Sequence, residues 1–150
     1  MKYQQKITID KPREEVIEKF SDPDNLEHWQ RGFIFIKPIN GKLGAEGSQN
    51  LLKYEMGKRE IEMTETILKN NLPHEFSATY EAKGVYNFQV NRFHETPENH
   101  TTWIADNEFK FSGFMKLFGW FMPGAFKKQS WKYMEDFKAF VEDGKSVKNE

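Results

Sequence analysis

Apolar and polar residues alternate along most of this chain with a period of two, and near its end the period lengthens to that of a helix. Tyr3, Gln5, Ile7 and Ile9 alternate with Gln4, Lys6, Thr8 and Asp10, which predicts a half-buried first strand. Pro12, followed by Glu14 and Glu15, suits a helix start, and Val16, Ile17 and Phe20 supply the inner face of that helix. Ser21-Asp22-Pro23 stops it, and a second helical turn or two is predicted over Asp24–Gln30, carrying Leu26 and Trp29. From Gly32 onward six strands joined by short turns are predicted: 33–39, 48–56, 59–68, 74–82, 85–94 and 101–111. The turns fall at Asn40-Gly41, Gly57-Lys58, Asn70 to Pro73, Lys83-Gly84 and Thr96 to Asn99. After Pro123-Gly124, apolar residues recur at Phe126, Tyr133, Met134, Phe137, Phe140 and Val141, an amphipathic helix. Its other face carries Lys127, Lys128, Lys132, Glu135, Asp136, Lys138 and Glu142 and is expected to be solvated.

The order is therefore βααββββββα, an α+β domain in which a curved antiparallel meander is covered by the last helix. Residues 1–150 are read as one domain, with 144–150 as a frayed tail. Strand parity then names the side chains facing that helix: Ile61, Met63, Glu65 and Ile67; Phe76, Ala78, Tyr80 and Ala82; Tyr86, Phe88 and Val90; and Trp103, Ala105, Asn107, Phe109 and Phe111.

Composition sharpens this picture at one point. With 14 Phe, 4 Trp and 5 Tyr, aromatic side chains outnumber Leu, Ile and Val together, and stiff rings wall a space as readily as they fill one. Net charge is −1, which gives no broad attraction to nucleic acid or to an anionic membrane. The absence of cysteine removes disulfides, thiolate nucleophiles and cysteine metal sites, and with no apolar leader at the start a cytoplasmic protein is expected.

Three stretches resemble a known superfamily, the START-like, polyketide-cyclase and lipid-transfer group (SRPBCC) with the helix-grip fold. Ile9-Asp10-Lys11-Pro12-Arg13-Glu14-Glu15-Val16 is similar to its strand-to-helix passage, Asp22-Pro23-Asp24-Asn25-Leu26-Glu27-His28-Trp29 to its D-P-x-x-L-x-x-W second helix, and Met63-Thr64-Glu65 to its fourth-strand V-T-E. The resemblance implies a seven-stranded sheet gripping a long carboxy-terminal helix, with a hydrophobic cavity between them. Members bind lipids, sterols, polyketides or flavonoids, some are cyclases or hydrolases, and others are co-chaperones. The motifs specify fold more than activity.

The candidate site is accordingly a cavity lined by Trp29, Phe33, Tyr54, Met63, Glu65, Phe76, Tyr80, Phe88, Trp103, Phe109, Met122, Phe126 and Tyr133, with Met115, Met122 and Met134 as adaptable neighbours. The competing reading is that the same rings close-pack a solid core. Glu65 is the sharpest single residue. An inward carboxylate must be paired, hydrogen-bonded, neutralised or in contact with a polar ligand group, and as a buried acid it is a weak candidate for general acid or base; a structural hydrogen bond to a neighbouring strand, or to Asn107 or Tyr80, is the plainer reading.

The expected function is binding of a small hydrophobic molecule, with a cyclase- or hydrolase-like enzyme and a ligand-free interaction module as alternatives. No cofactor is expected. His28, His74, His94 and His100 are scattered and predict no metal site, although His94 and His100 flank one turn and would face each other across it. The loop Gly41 to Ser48 runs into a strand rather than a helix, so it reads as a flexible turn near the cavity entrance and not as a phosphate cradle. Ser112 to Gly124 is too short and interrupted to span a bilayer; it is expected to cap the cavity and pack on the sheet, with shallow membrane contact as the lesser reading.

Overall fold

The structure, a computed structural model, describes residues 1–148. Strand β1 (Lys2–Ile9) leads into helix α1 (Arg13–Ser21), a single 3₁₀ turn (Pro23–Asn25) and the short helix α2 (Leu26–Trp29). Six strands follow: β2 (Phe33–Asn40), β3 (Gln49–Met56), β4 (Arg59–Asn71), β5 (Glu75–Ala82), β6 (Val85–Glu95) and β7 (Thr101–Phe111). Two helices close the fold, α3 (Met115–Phe121) and α4 (Pro123–Asp143). The seven strands make one antiparallel sheet in the order β1-β7-β6-β5-β4-β3-β2. Register shifts between β2 and β3 and at Ile67/Lys69 between β4 and β5 bend the sheet, as extra residues in one strand of a pair do. Its concave side wraps α4, which is the helix-grip arrangement. Among the described residues no helix is long and apolar enough to cross a membrane.

The core sits at one end of the concave face, under α1 and α2. Ile7, Ile9, Val16, Trp29, Phe93, Trp103, Met134, Phe137 and Val141 are buried together there. Phe20 stands at the centre, with its ring 4.9 to 6.1 Å from those of Phe93, Trp103, Phe76, Phe137 and Trp29. Each such ring removes 150–250 Å² from water, roughly, so this cluster dominates the stability of the domain.

Four expectations need correcting. The amphipathic stripe of α4 is as read, but Asp136 is not on a solvated face: it is buried and receives Arg31 Nε at 2.8 Å and Lys132 Nζ at 3.3 Å. Asp136 therefore fastens α4 to Arg31, two residues past the end of α2, a partnership across 105 positions that helical spacing cannot announce. His94 and His100 do not face one another; His94 lies opposite Thr102, and His100 pairs with Asp10. Residues 144–148 are tied down rather than frayed: Gly144, at φ 69, ends α4 in the left-handed conformation glycine adopts without steric cost, and Val147 N then donates to His28 O at 3.0 Å while Ser146 meets His28 Nδ1 at 2.8 Å. The rest of that predicted tail, 149–150, lies outside the described residues. Finally, the loop from Gly41 to Ser48 is bonded along its length to the end of β4, through Asn70 to Gly44 O and Glu46 and through Gly47 N to Ile67 O.

Candidate functional site

Register places four rows of side chains across the concave face beneath α4. One runs Asn50, Glu65, Tyr80, Asn87, Phe109; the next runs Ile67, Ala78, Gln89, Asn107, Tyr3. Then come Phe76, Asn91, Ala105, Gln5, and last Phe93, Trp103, Ile7 at the core end. Polar side chains make up most of the first row and share the second and third with apolar ones, an arrangement that parity alone did not foresee.

The polar groups bond to one another. Trp103 Nε1 donates to Asn91 Oδ1 at 2.9 Å, Asn91 Nδ2 to Gln89 Oε1 at 3.1 Å, and Gln89 Nε2 to Asn107 Oδ1 at 3.1 Å. Asn87 Nδ2 donates to the same Asn107 oxygen at 3.2 Å. Receiving two N–H groups fixes which end of the Asn107 amide is oxygen, so its Nδ2 is forced to be the other end, and that nitrogen is buried without a partner. On the neighbouring row Asn50 Nδ2 donates to Glu65 Oε1 at 2.9 Å, leaving Asn50 Oδ1 buried and unbonded although the residue is wholly enclosed. Gln5 Oε1 is a third unpartnered atom on this face. An unbonded buried polar group costs about 1–3 kcal/mol, so three on one surface are a standing demand for a donor or acceptor brought from outside.

Burial raises the Glu65 carboxyl above its ordinary range, and the bonds from Asn50 and Tyr80 partly oppose that rise. Tyr80 and Tyr54 are pushed well up, first by burial and next by the charge or tyrosine beside them. Tyr133, reaching in from α4, is pushed up to about 12, chiefly by burial. This side of the sheet therefore holds its protons. Tyr54 donates to Gln30 Oε1, and Gln129 of α4 reaches Met56 Sδ and Tyr133.

Beyond the polar rows lies a second aromatic group. Phe109 and Phe111 flank Phe126 at 4.9 and 5.1 Å, and Phe118 of α3 meets Phe126 edge-on at 5.7 Å. Two open concavities stand out at the rim: one of about 270 Å³ lies beside the β5–β6 turn and Phe111, and one of about 280 Å³ lies along Lys2, Tyr3, Phe88 and Asp106 to Glu108. Neither is a closed chamber beneath α4. Among the described residues no three His, Asp or Glu side chains cluster as metal ligands would.

Of the residues named from sequence, Glu65, Tyr80, Tyr54, Met63 and Phe109 lie on the concave face, with Phe33 opposite Tyr54 and with Phe126 and Tyr133 above them on α4. Trp29 and Trp103 belong to the packed core around Phe20, and Phe76 meets Phe20 edge-on at 5.8 Å. Met122 is half exposed at the junction of α3 and α4. Phe88 is on the opposite face: it pairs with Thr79 and Glu108, and the inner side of β6 is Asn87, Gln89, Asn91 and Phe93. The apolar-inward rule failed because this interior is hydrogen-bonded rather than apolar. A signal for the right answer was present in the Lys83-Gly84 turn, since a two-residue link sets Ala82 opposite Val85 and hence Tyr80 opposite Asn87. Glu65 bonds Tyr80, as one plain reading had it, while Asn107 turns to Asn87 and Gln89 instead.

Comparison with protein-family models and with curated protein sequences gave no match. Solved structures do match over nearly the whole chain. A conserved protein from Geobacillus kaustophilus superposes with a TM-score of 0.81 at 14% identity, covering 97% of both chains. Ara h 8.0201 gives 0.74 at 10% identity, covering 94% of this chain and 97% of its own. Truncated norcoclaurine synthase from Thalictrum flavum gives 0.71 at 12% identity, with 95% and 94% covered. These neighbours share the helix-grip architecture, with its seven-stranded curved sheet and long carboxy-terminal helix.

Proposed function

We propose that the chain binds a small, largely apolar molecule that carries a hydrogen-bond acceptor and donor, seated between the polar rows of the sheet and α4. The observation that carries this reading is the complementary pair of unpartnered atoms: Asn107 Nδ2 offers a donor and Asn50 Oδ1 an acceptor, both buried. Around them Ile67, Leu52, Phe109 and Phe126 supply the apolar contact that gives most of the affinity of such a site, while a few placed polar groups give orientation. The fold supports the reading by analogy, because one neighbour of the same architecture is norcoclaurine synthase.

Native followed by denaturing mass spectrometry of the purified chain tests it. A small-molecule mass released on unfolding, and absent from Asn107→Leu, is the expected result. If the spectra are clean, and anilinonaphthalene sulfonate and lipid amphiphiles all leave the melting temperature unmoved, the reading falls and a ligand-free interaction module takes its place.

One observation favours a second, enzymatic use of the same site. Glu65 is buried, its carboxyl is raised, and the Tyr80 hydroxyl touches it, a pairing suited to passing a proton to or from a bound molecule. On that reading Glu65→Gln keeps the bound mass but abolishes turnover. Equal turnover in that variant removes the acid–base role.

A further inference from the structure

Helix α3 is apolar on both sides. Met115, Phe118 and Gly119 face inward, and Gly119 is needed there because a Cβ would stand 2.6 Å from the Phe111 ring. The opposite side is open: Phe114 is 80% exposed, Trp120 79%, Phe121 76%, Met122 52% and Leu117 48%. Phe114, Leu117 and Phe121 fall at intervals of three and four, so they form one stripe with Trp120 beside it. Together these side chains present on the order of 600 Å² of apolar surface, at the top of what a monomeric soluble domain leaves uncovered.

Along the chain, the charge that flanks this patch has one sign. Between Phe109 and Met134 the only charged side chains are Lys110, Lys116, Lys127, Lys128 and Lys132, in a chain whose net charge is −1. Lys132 is engaged with Asp136 and Lys110 makes a long 3.9 Å contact with Glu108. Lys127 and Lys128 lie within the first two turns of α4, roughly 7 Å along its axis from the end of α3 and so within a Debye length of the patch. A second copy of the chain is a poor occupant, because a two-fold interface would press these lysines against themselves.

From this charge and exposure we infer that α3 and the start of α4 dock on an anionic lipid surface. The aromatic stripe enters the headgroup region, where Trp and Phe are favoured, and the lysines meet anionic headgroups. The inference does not depend on what the interior binds.

The test is flotation of the full chain with phosphatidylcholine vesicles, with and without phosphatidylglycerol. Binding is expected only with the anionic lipid at low salt. Trp120→Ser with Phe121→Ser should lower partitioning at least about tenfold, and each of Lys116→Gln, Lys127→Gln and Lys128→Gln about fivefold. Those side chains are exposed, so the variants keep the wild-type circular dichroism spectrum. Failure to bind anionic vesicles, or binding unchanged in the double variant, overturns the inference. So does a dimer in light scattering that the double variant abolishes while vesicles bind neither protein.

Discussion

The two halves of the concave face are built on opposite rules. Under α1 and α2 the sheet presents Ile7, Phe93 and Trp103 to Phe20, Trp29 and Phe137, and close-packed rings leave almost nothing for a ligand to do. A few residues along the same strands it presents Asn50, Glu65, Asn87 and Asn107, which are buried, with Tyr80 and Gln89 half-buried among them, and the group is bonded incompletely. Both regions are enclosed, so burial alone does not separate a core from a site. Satisfaction separates them by degree: among the described residues the first region leaves one buried polar atom, Trp29 Nε1, without a partner, and the second leaves three, Asn50 Oδ1, Asn107 Nδ2 and Gln5 Oε1.

The largest effect that would break this contrast is in the packed half. Phe137→Ala should cost about 3–5 kcal/mol, read from denaturant unfolding, because a wholly buried ring leaves a cavity its neighbours cannot fill. A loss below about 1 kcal/mol would mean the rings are loosely held. In the polar half the loss should be smaller. Replacing Asn50 and Glu65 together by Leu removes a mutually bonded pair and one orphan atom but leaves the Tyr80 hydroxyl without its carboxylate, so the empty protein should lose no more than about 1–3 kcal/mol. The same double variant should lose any bound small molecule, which native mass spectrometry reads.

A third test uses pH. The folded-state pKa of Glu65 is raised, so its contribution to stability is complete below about 4.5 and is lost as pH rises through the raised value. Wild-type melting temperature should therefore fall relative to Glu65→Gln across that window; parallel curves would mean the carboxyl is not buried in solution. The smallest effect belongs to Tyr133. Its phenol holds its proton to about 12, so the ultraviolet tyrosinate signal should contain a late step that Tyr133→Phe removes. By the same sign rule, Tyr133 stabilises fully below the ordinary phenol range and ceases to do so between about 10 and about 12.

Much of the packed half was legible in the sequence, and little of the polar half. Strand limits, the order of elements and the α4 stripe follow from periodicity because local patterning and final burial agree there. Glu65 was found because a carboxylate in an apolar set stands out. Asn87, Gln89 and Asn91 alternate just as regularly with Tyr86, Phe88 and Val90, and hydrophobicity points to the second set where register turns the first inward. Helix α3 was missed for a different reason: seven residues apolar on both faces have no period to detect. Arg31 with Asp136 and Asp10 with His100 are joined only by the fold.

Helix α4 is held to β1 by unlike means along its length. Near its carboxy-terminal end Met134, Phe137 and Val141 are sunk in the core, whereas near its start Tyr3 reaches Phe126 O and Ser130 Oγ, and Gln5 Nε2 reaches Lys127 O. Water can replace the second kind of contact at little net cost, but not the first. At its head the helix therefore holds to β1 by bonds that a solvent molecule can pick, while its grip on β7 there rests on the Phe126 ring against Phe109 and Phe111, which no water can replace.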